Sequence, residues 1–352
     1  MAHSRAPTDA AMSYESGQAG RSVDVKAQVA SLESHDVLEH SELLKPWDVR
    51  INQVSPGAFL GRLDAVVTPA MMLYEENWSR RTVVRGATPA GYVMIGASMA
   101  WGRSRVTWCN SVLGPRSICC APPSGEMRLV APDDSQHAVL LVRPELLTQG
   151  LGQAWADRLC TGWSLEAHAD VGRCLGEAIL SNVRRYVRQP ELLASAHEVR
   201  SLESRLLEVL IRCTGFVTDS SVRGTPARRV RAVEAALEFA ASRRGRTTAL
   251  ELSVAAGVSQ RTLEYAFRSR LGTTPGRYLS LLRLNGVQRD LLRSDPLSTR
   301  VWRVARAWGF QHQGRFSSRY RRQFGELPRE TLRRSTLSTR PTLSDLNAQN
   351  RP

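Results

Sequence analysis

The chain has 352 residues, 42% of them hydrophobic, which is enough for roughly two domains with a sizeable core and excludes global disorder. No run of eighteen apolar residues occurs and the first 48 residues lack the short apolar stretch of a signal peptide, so no membrane segment is predicted and a cytoplasmic location is expected. Of the net charge of +15, residues 223–334 hold all the excess, with 24 Arg against 8 Asp or Glu, while the remainder holds 24 basic and 25 acidic residues; a basic domain on a neutral one implies a polyanionic partner.

Residues 1–44 are polar and show no apolar period, so they are expected to form a disordered arm. From Pro46 to about Val142 short apolar runs alternate with breakers. The runs include Ala65 to Val67, Arg81 to Val84, Tyr92 to Ile95 and Ala138 to Val142, and the breakers include Pro56-Gly57, Gly114-Pro115 and Pro122-Pro123. Runs of this length at about ten-residue spacing predict a β-sandwich or small barrel. Pro144 suits the first turn of a helix.

Two longer helices follow. Val171, Leu175, Ala178, Ile179 and Val183 share one face of the first. Leu202, Leu206, Val209, Leu210 and Cys213 form a stripe on the second, which packs either against its own β domain or as a dimer seam within 195–217. The β-rich domain is thus expected over 45–217. The polar, Gly- and Pro-containing stretch 218–226 is expected to be a linker.

The six cysteines form no C-x-x-C pair, and the seven histidines form no H-x-H or H-E-x-x-H arrangement. Neither a metal site nor a cofactor is predicted. The thiols, including adjacent Cys119 and Cys120, are read as reduced and mostly buried, with a redox-sensing pair as the alternative.

Residues 227–334 read as all helix, beginning with the face Val230, Val233, Ala236, Leu237 and Ala240. Leu250 to Ala256 then give a short apolar helix, closed by Gly257 where the chain must turn. Ser259 caps a second helix from Gln260 to Arg270, which buries Leu263 and Phe267 and shows Arg261, Glu264, Tyr265 and Arg268 on the opposite face. This is the plan of a helix-turn-helix. It recurs. Val301, Val304 and Ala305 build a short helix ending at Trp308-Gly309, and Phe310 leads into a polar turn. The helix from Gln313 to Gln323 sets Phe316, Tyr320 and Phe324 inward and Arg315, Ser318, Arg319 and Arg322 outward. Gly and a nearby Pro end each second helix. Between the units, Tyr278 to Leu292 form one longer helix that would fix their separation. Residues 335–352 are expected to be a disordered tail.

Gln260 to Arg270 and Gln313 to Gln323 are the predicted recognition helices. Arg261, Tyr265, Gln313 and Arg315 are candidates for base edges, and Ser259, Arg268, Arg319 and Arg322 for phosphates. Gly257, Leu263, Phe267, Ala305, Gly309, Phe310, Phe316, Tyr320 and Phe324 are the structural core of the two units. The unequal helices predict an asymmetric half-site.

The segment from Ser259 to Pro328 resembles the AraC/XylS family of bacterial transcription regulators. The likeness is carried by Ser259, Leu263, Phe267 and Leu271-Gly272, by Arg283-Leu284-Asn285, and by Val304-Ala305, Trp308-Gly309-Phe310, Phe316, Tyr320, Phe324-Gly325 and Pro328. Leu284-Asn285 and the run from Trp308 to His312 look most like the ethanolamine-operon regulators. Ser253 departs from the family's usual Ala, and its hydroxyl is expected to return to a backbone carbonyl. Glu264 places a negative charge on a face meant for DNA.

The resemblance implies an α+β two-domain protein with an N-terminal β-rich, cupin-like, effector-sensing or dimerising domain. It also implies an activator that binds double-stranded promoter DNA and contacts RNA polymerase. No enzymatic activity is predicted. A catalytic β-rich domain is the alternative, but residues 46–142 hold a single histidine, His137, and Asp133-Asp134 lies in a Pro-flanked turn. A non-specific architectural DNA-binding protein is another. The effector is not specified by these residues, although Trp78, Tyr92, Trp101 and Trp108 are candidates to line its pocket.

Overall fold

The strands carry apolar residues on both faces, and this stacks the protein in layers. The computed structural model describes residues 27–99, 106–109, 111–161, 164–167, 169–217, 228–334, 342, 343 and 345. One antiparallel sheet holds, in spatial order, β1 (Gln28–Ser34), β3 (Gly61–Val67), β4 (Met71–Trp78), β11 (Ser135–Val142), β6 (Val93–Ser98), β9 (Ser117–Ala121) and β12 (Ser164–Glu166). The other holds β2 (Asp48–Gln53), β5 (Thr82–Ala87), β10 (Glu126–Ala131), β7 (Thr107–Trp108) and β8 (Ser111–Val112).

Side chains alternate across each strand, so each strand feeds two cores. In β11, Ala138, Leu140 and Val142 face α4 (Val171–Arg188) and α5 (Ala196–Thr214), while Val139 and Leu141 face the second sheet. The second sheet repeats the device. Val84 and Leu129 face inward, but Val83 and Val130 turn outward into a third core completed by the C-terminal helices. The order of layers is therefore helices, sheet, sheet, helices. α2 (Pro144–Leu151) opens on the predicted proline, and α3 (Gln153–Thr161) follows it.

The C-terminal region is helical, with α6 (Arg228–Ser242), α7 (Ala249–Ala255), α8 (Gln260–Leu271), α9 (Pro275–Leu292), α10 (Val301–Ala307), α11 (Gln313–Phe324) and α12 (Pro328–Arg333). No helix among the described residues is long and apolar enough to cross a membrane.

Two expectations are corrected, for the arm and the tail, and two open alternatives are decided. Residues 28–44 are not a disordered arm. β1 pairs with β3 from Gln28 opposite Val67 to Ser34 opposite Gly61, and α1 (Val37–Leu43) follows it. The α1 N-cap is Asp36, whose carboxylate accepts from the Leu38 and Glu39 N–H groups at 3.0 and 2.8 Å. As a half-buried edge strand, β1 lacks the clean alternation that marks a strand in sequence.

The Leu202 stripe is not left for a dimer seam. Leu202, Leu206, Leu210 and Cys213 are buried in the chain's own helix-side core, because α5 packs on α4 and α2. Cys119 and Cys120 are no redox pair, since adjacent strand residues point apart: Cys119 faces the inter-sheet core and Cys120 the helix side. Burial pushes the Cys120 thiol up to about 12 and that of Cys119 higher still. Finally, the tail is not wholly detached. Leu343 is fully buried in the inter-sheet cluster beside Val37, Leu43 and Phe59. The predicted linker 218–226, Trp101 and the rest of the tail lie outside the described residues.

Candidate nucleic-acid interface

The first unit is α7, a turn and α8. Thr248 and Glu251 form a capping box at the start of α7. Ser253 is buried and its hydroxyl donates to the Leu250 carbonyl at 2.7 Å, as its small size allows. Gly257 turns the chain at φ +63°, and Ser259 caps α8 by accepting from the Thr262 N–H at 3.2 Å. Leu263, Ala266, Phe267 and Leu271 are buried, and Phe267 meets Tyr278 edge-on with ring centroids 5.7 Å apart.

The second unit repeats this with α10 and α11. Phe310, Phe316, Tyr320 and Phe324 form a chain of ring contacts, and the Tyr320 hydroxyl donates to the Thr331 hydroxyl at 2.8 Å. Both second helices end in a left-handed glycine, Gly272 or Gly325.

One helix joins the two cores. Tyr278, Leu279, Leu281 and Leu282 of α9 enter the first core, and Leu284, Val287 and Leu291 enter the second. Gly286 lets the second unit close, because a Cβ there would lie 2.3 Å from the Trp308 ring. The Trp308 indole N–H donates to Asp290 at 2.7 Å. Arg246 of the first unit donates to the Ala307 carbonyl of the second. The two units are thus held as one body.

Their outward faces are basic. Arg261, Gln313, Arg315, Arg319 and Arg322 are exposed, and none of these four arginines forms an ion pair among the described residues. Arg268 differs: it pairs with Glu264 at 2.7 Å, so part of its charge is spoken for. Ser259 is exposed but holds the helix cap. Tyr265 is 60% exposed, and the Arg229 guanidinium stacks 4.8 Å from its ring centre.

Three further arginines escaped the sequence reading. Arg300, Arg329 and Arg333 line a cavity of about 370 Å³ with Trp302 and Gln313, at the start of α11. Arg329 and Arg333 lie one turn apart on α12 while Arg300 precedes α10, so sequence spacing joins two of them but not the third. The N-cap residue of α11, His312, makes no side-chain cap, which leaves N–H groups of the first turn open for an anion. Between the units, Arg283 lies 5.4 Å over the Phe310 ring. Burial depresses its pKa, and the like charges of Arg319 and Arg246 depress it further.

The opposite side of this domain is braced by the second sheet, which the sequence did not reveal. Asn285 pairs with the backbone of Gln53. The Gln53 side-chain amide donates to the Gln323 carbonyl at 2.9 Å, and the Gly57 N–H caps the Arg322 and Gln323 carbonyls at the end of α11. Arg289 donates to the Asn52 side chain at 3.0 Å, and burial pulls its pKa down to about 10. Arg128 of β10 pairs with Glu234 and Glu238 of α6. These contacts hold the bodies of α6 and α9 and the end of α11, while Arg261 and Arg315 stay exposed.

In the N-terminal domain, Trp78 and Trp108 line an interior cavity of about 50 Å³ together with His137 and Tyr74. Tyr92 is buried in the surrounding core. Among the described residues no group of three His, Cys, Asp or Glu is placed to hold a metal ion.

Known proteins share this domain. A helix-turn-helix domain family model matches residues 252–334. The probable thc operon regulatory protein of Rhodococcus erythropolis is 48% identical over 77 residues, covering 22% of this chain and 23% of that protein, so the match spans under a quarter of that relative. The XylDLEGF operon transcriptional activator 2 of Pseudomonas putida is 33% identical over 144 residues, covering 40% of this chain and 85% of that protein. A solved AraC-type regulator from Chromobacterium violaceum is 29% identical, covering 30% of this chain and 92% of its own, with a TM-score of 0.28. With paired helix-turn-helix units on one linker helix, and a relative matched over most of its length, the chain belongs to the AraC/XylS family of transcription regulators.

Proposed function

We propose that the chain is a sequence-specific DNA-binding transcription activator. Its recognition helices α8 and α11 enter two successive major-groove segments of promoter DNA about one turn, roughly 34 Å, apart. The observation that carries this reading is that Arg261 on α8 and Arg315, Arg319 and Arg322 on α11 stand exposed without an ion pair among the described residues, on two units mounted on one linker helix. Arg261, Tyr265, Gln313 and Arg315, near the helix starts, read base edges. Ser259, Arg268, Arg319 and Arg322 hold phosphates, joined by Arg300, Arg329 and Arg333. The crowding of Arg283, Arg246 and Arg319 is relieved when phosphates approach.

The β-rich domain, cupin-like in its pair of packed antiparallel sheets, senses a small-molecule or protein effector, and RNA polymerase is the downstream partner. The names of the matched relatives as operon regulators and activators support this role. The likeness to ethanolamine-operon regulators rests on Leu284-Asn285 and the run from Trp308 to His312; Asn285 and Trp308 here serve the brace and the second core, so these two speak for architecture rather than for a particular effector. The test is binding-site selection from random duplexes with the full chain, followed by titration against salt. A two-part motif is expected, with affinity falling steeply with salt. Equal affinity for selected and random duplexes would instead mark an architectural protein.

A further inference from the structure

A cleft of about 390 Å³ separates the second sheet from the first recognition helix. Three arginines line it: Arg81 from the turn before β5, Arg229 from α6 and Arg270 from the last turn of α8. Ser269 and Thr107 add hydroxyls, and Val112, Val130 and Val230 add apolar wall. The volume is that of a small-molecule site.

Arg270 is the telling residue. Its Nη1 and Nη2 atoms are closed to water and make no hydrogen bond to any described residue. A buried cation without hydrogen-bonded counter-charge is costly and calls for a partner. The nearby carboxylates offset part of this charge without hydrogen-bonding Arg270. Glu234, which acts on Arg270 through space, is held by Arg128 at 3.3 Å. Asp133 lies 3.7 Å from Arg81 and accepts from the Arg81 N–H and the Ser55 hydroxyl. The cleft therefore holds more positive charge than its own walls neutralise. Arg270 lines the cleft and has no hydrogen bond at Nη1 or Nη2 to break in order to turn towards an anion there.

We propose that this cleft binds a small organic anion, a carboxylate or phosphate monoester on an apolar body, seated between the sheet and the first recognition helix. The anion accepts from Arg270 and from Arg81 or Arg229, and its body packs on the valines. Arg229 stacks on Tyr265 and both line the cleft, so an anion that engages Arg229 disturbs its stacking on that ring. Anion binding stands apart from DNA reading, whereas this coupling to Tyr265 rests on the role proposed above.

The test is calorimetric titration of the full chain with phenyl phosphate and with phenylacetate, using uncharged phenylacetamide as the control. Both anions are expected to bind at one site per chain and the amide not at all. Arg270→Met keeps the volume without the charge, so it should melt no lower than the wild type and bind the anions at least tenfold more weakly. Arg81→Ala with Arg229→Ala, both on the rim, should also weaken them and serves if the Met variant folds poorly. Absence of binding by either anion, or unchanged binding by these variants, overturns the proposal. So does a result in which Arg270→Met loses duplex affinity and salt sensitivity with anion binding intact, which would assign the guanidinium to a DNA phosphate. Duplex binding measured on the same samples separates this outcome from failure of the DNA-reading role.

Discussion

Asn285 in the linker helix and Gln53 at the end of β2 pair as two strands would. The Asn285 carbonyl oxygen accepts from the Gln53 N–H at 2.8 Å, and its amide donates to the Gln53 carbonyl at 2.9 Å. A further bond, to the Leu281 carbonyl at 2.8 Å, satisfies the remaining amide hydrogen. Asn285 and Gln53 are both 1% exposed, so water cannot substitute for any of these bonds. A polar residue inside a helix thus extends the sheet by one residue into the DNA-binding domain.

Asn285→Ala should leave the Gln53 N–H buried without its acceptor, at a cost of about 1–3 kcal/mol. Urea unfolding followed by tryptophan fluorescence would register it, with the two domains separating into distinct transitions. A single transition at the wild-type midpoint would show that the brace does not couple them.

Gly286→Ala should drive a methyl into the Trp308 ring. Overpacking of this kind costs about 1–3 kcal/mol. The damage should be confined to the second unit, because Trp308 and Gly286 meet there. Hydrogen exchange should show faster exchange in α10 and α11 with α7 and α8 unchanged, and uniform change across both units would contradict this.

The outward arginines should divide by role. Arg261→Ala or Arg315→Ala should relax preference at one base pair by about 1–3 kcal/mol. Arg322→Ala should weaken all duplexes alike and lower the salt slope by about one. Arg268→Ala should do less than Arg322→Ala, because Glu264 already neutralises part of Arg268. Quantitative duplex binding at three salt concentrations distinguishes these outcomes.

The protein should lose stability in mild acid through His137. Burial holds its imidazole down at about 4, against an ordinary 6.5, despite the nearby Glu76, which acts the other way. The unfolded chain therefore binds a proton that the folded chain refuses. Stability is complete above about 6.5 and falls as the pH drops towards 4, by up to about 3 kcal/mol. The difference in unfolding free energy between pH 7 and pH 5 should shrink in His137→Phe, and an unchanged difference would remove His137 as the cause.

The C-terminal architecture was legible because its signals are local. Gly257, the Ser259 cap and the four-residue spacing of Phe316, Tyr320 and Phe324 each act within one or two turns. The brace was not legible, since Gln53 and Asn285 are 232 residues apart and each looks ordinary in its own neighbourhood. The Leu202 stripe was ambiguous for a related reason: a periodic apolar face reports that something covers it, but not what. The grouping of Arg300 with Arg329 and Arg333 was likewise invisible until α12 met the start of α10. Glu264 was read as a charge on the DNA face, and its pairing with Arg268 gives it a local partner there.

The central claim is that two recognition helices read DNA together from one rigid mount. Hydroxyl-radical footprinting of the full chain on a selected duplex tests it most directly. Two protected patches are expected on one face of the duplex, about one helical turn or roughly 10 base pairs apart, with Arg261→Ala weakening one and Arg315→Ala the other. A single patch, or equal loss of both patches from either variant, would contradict it.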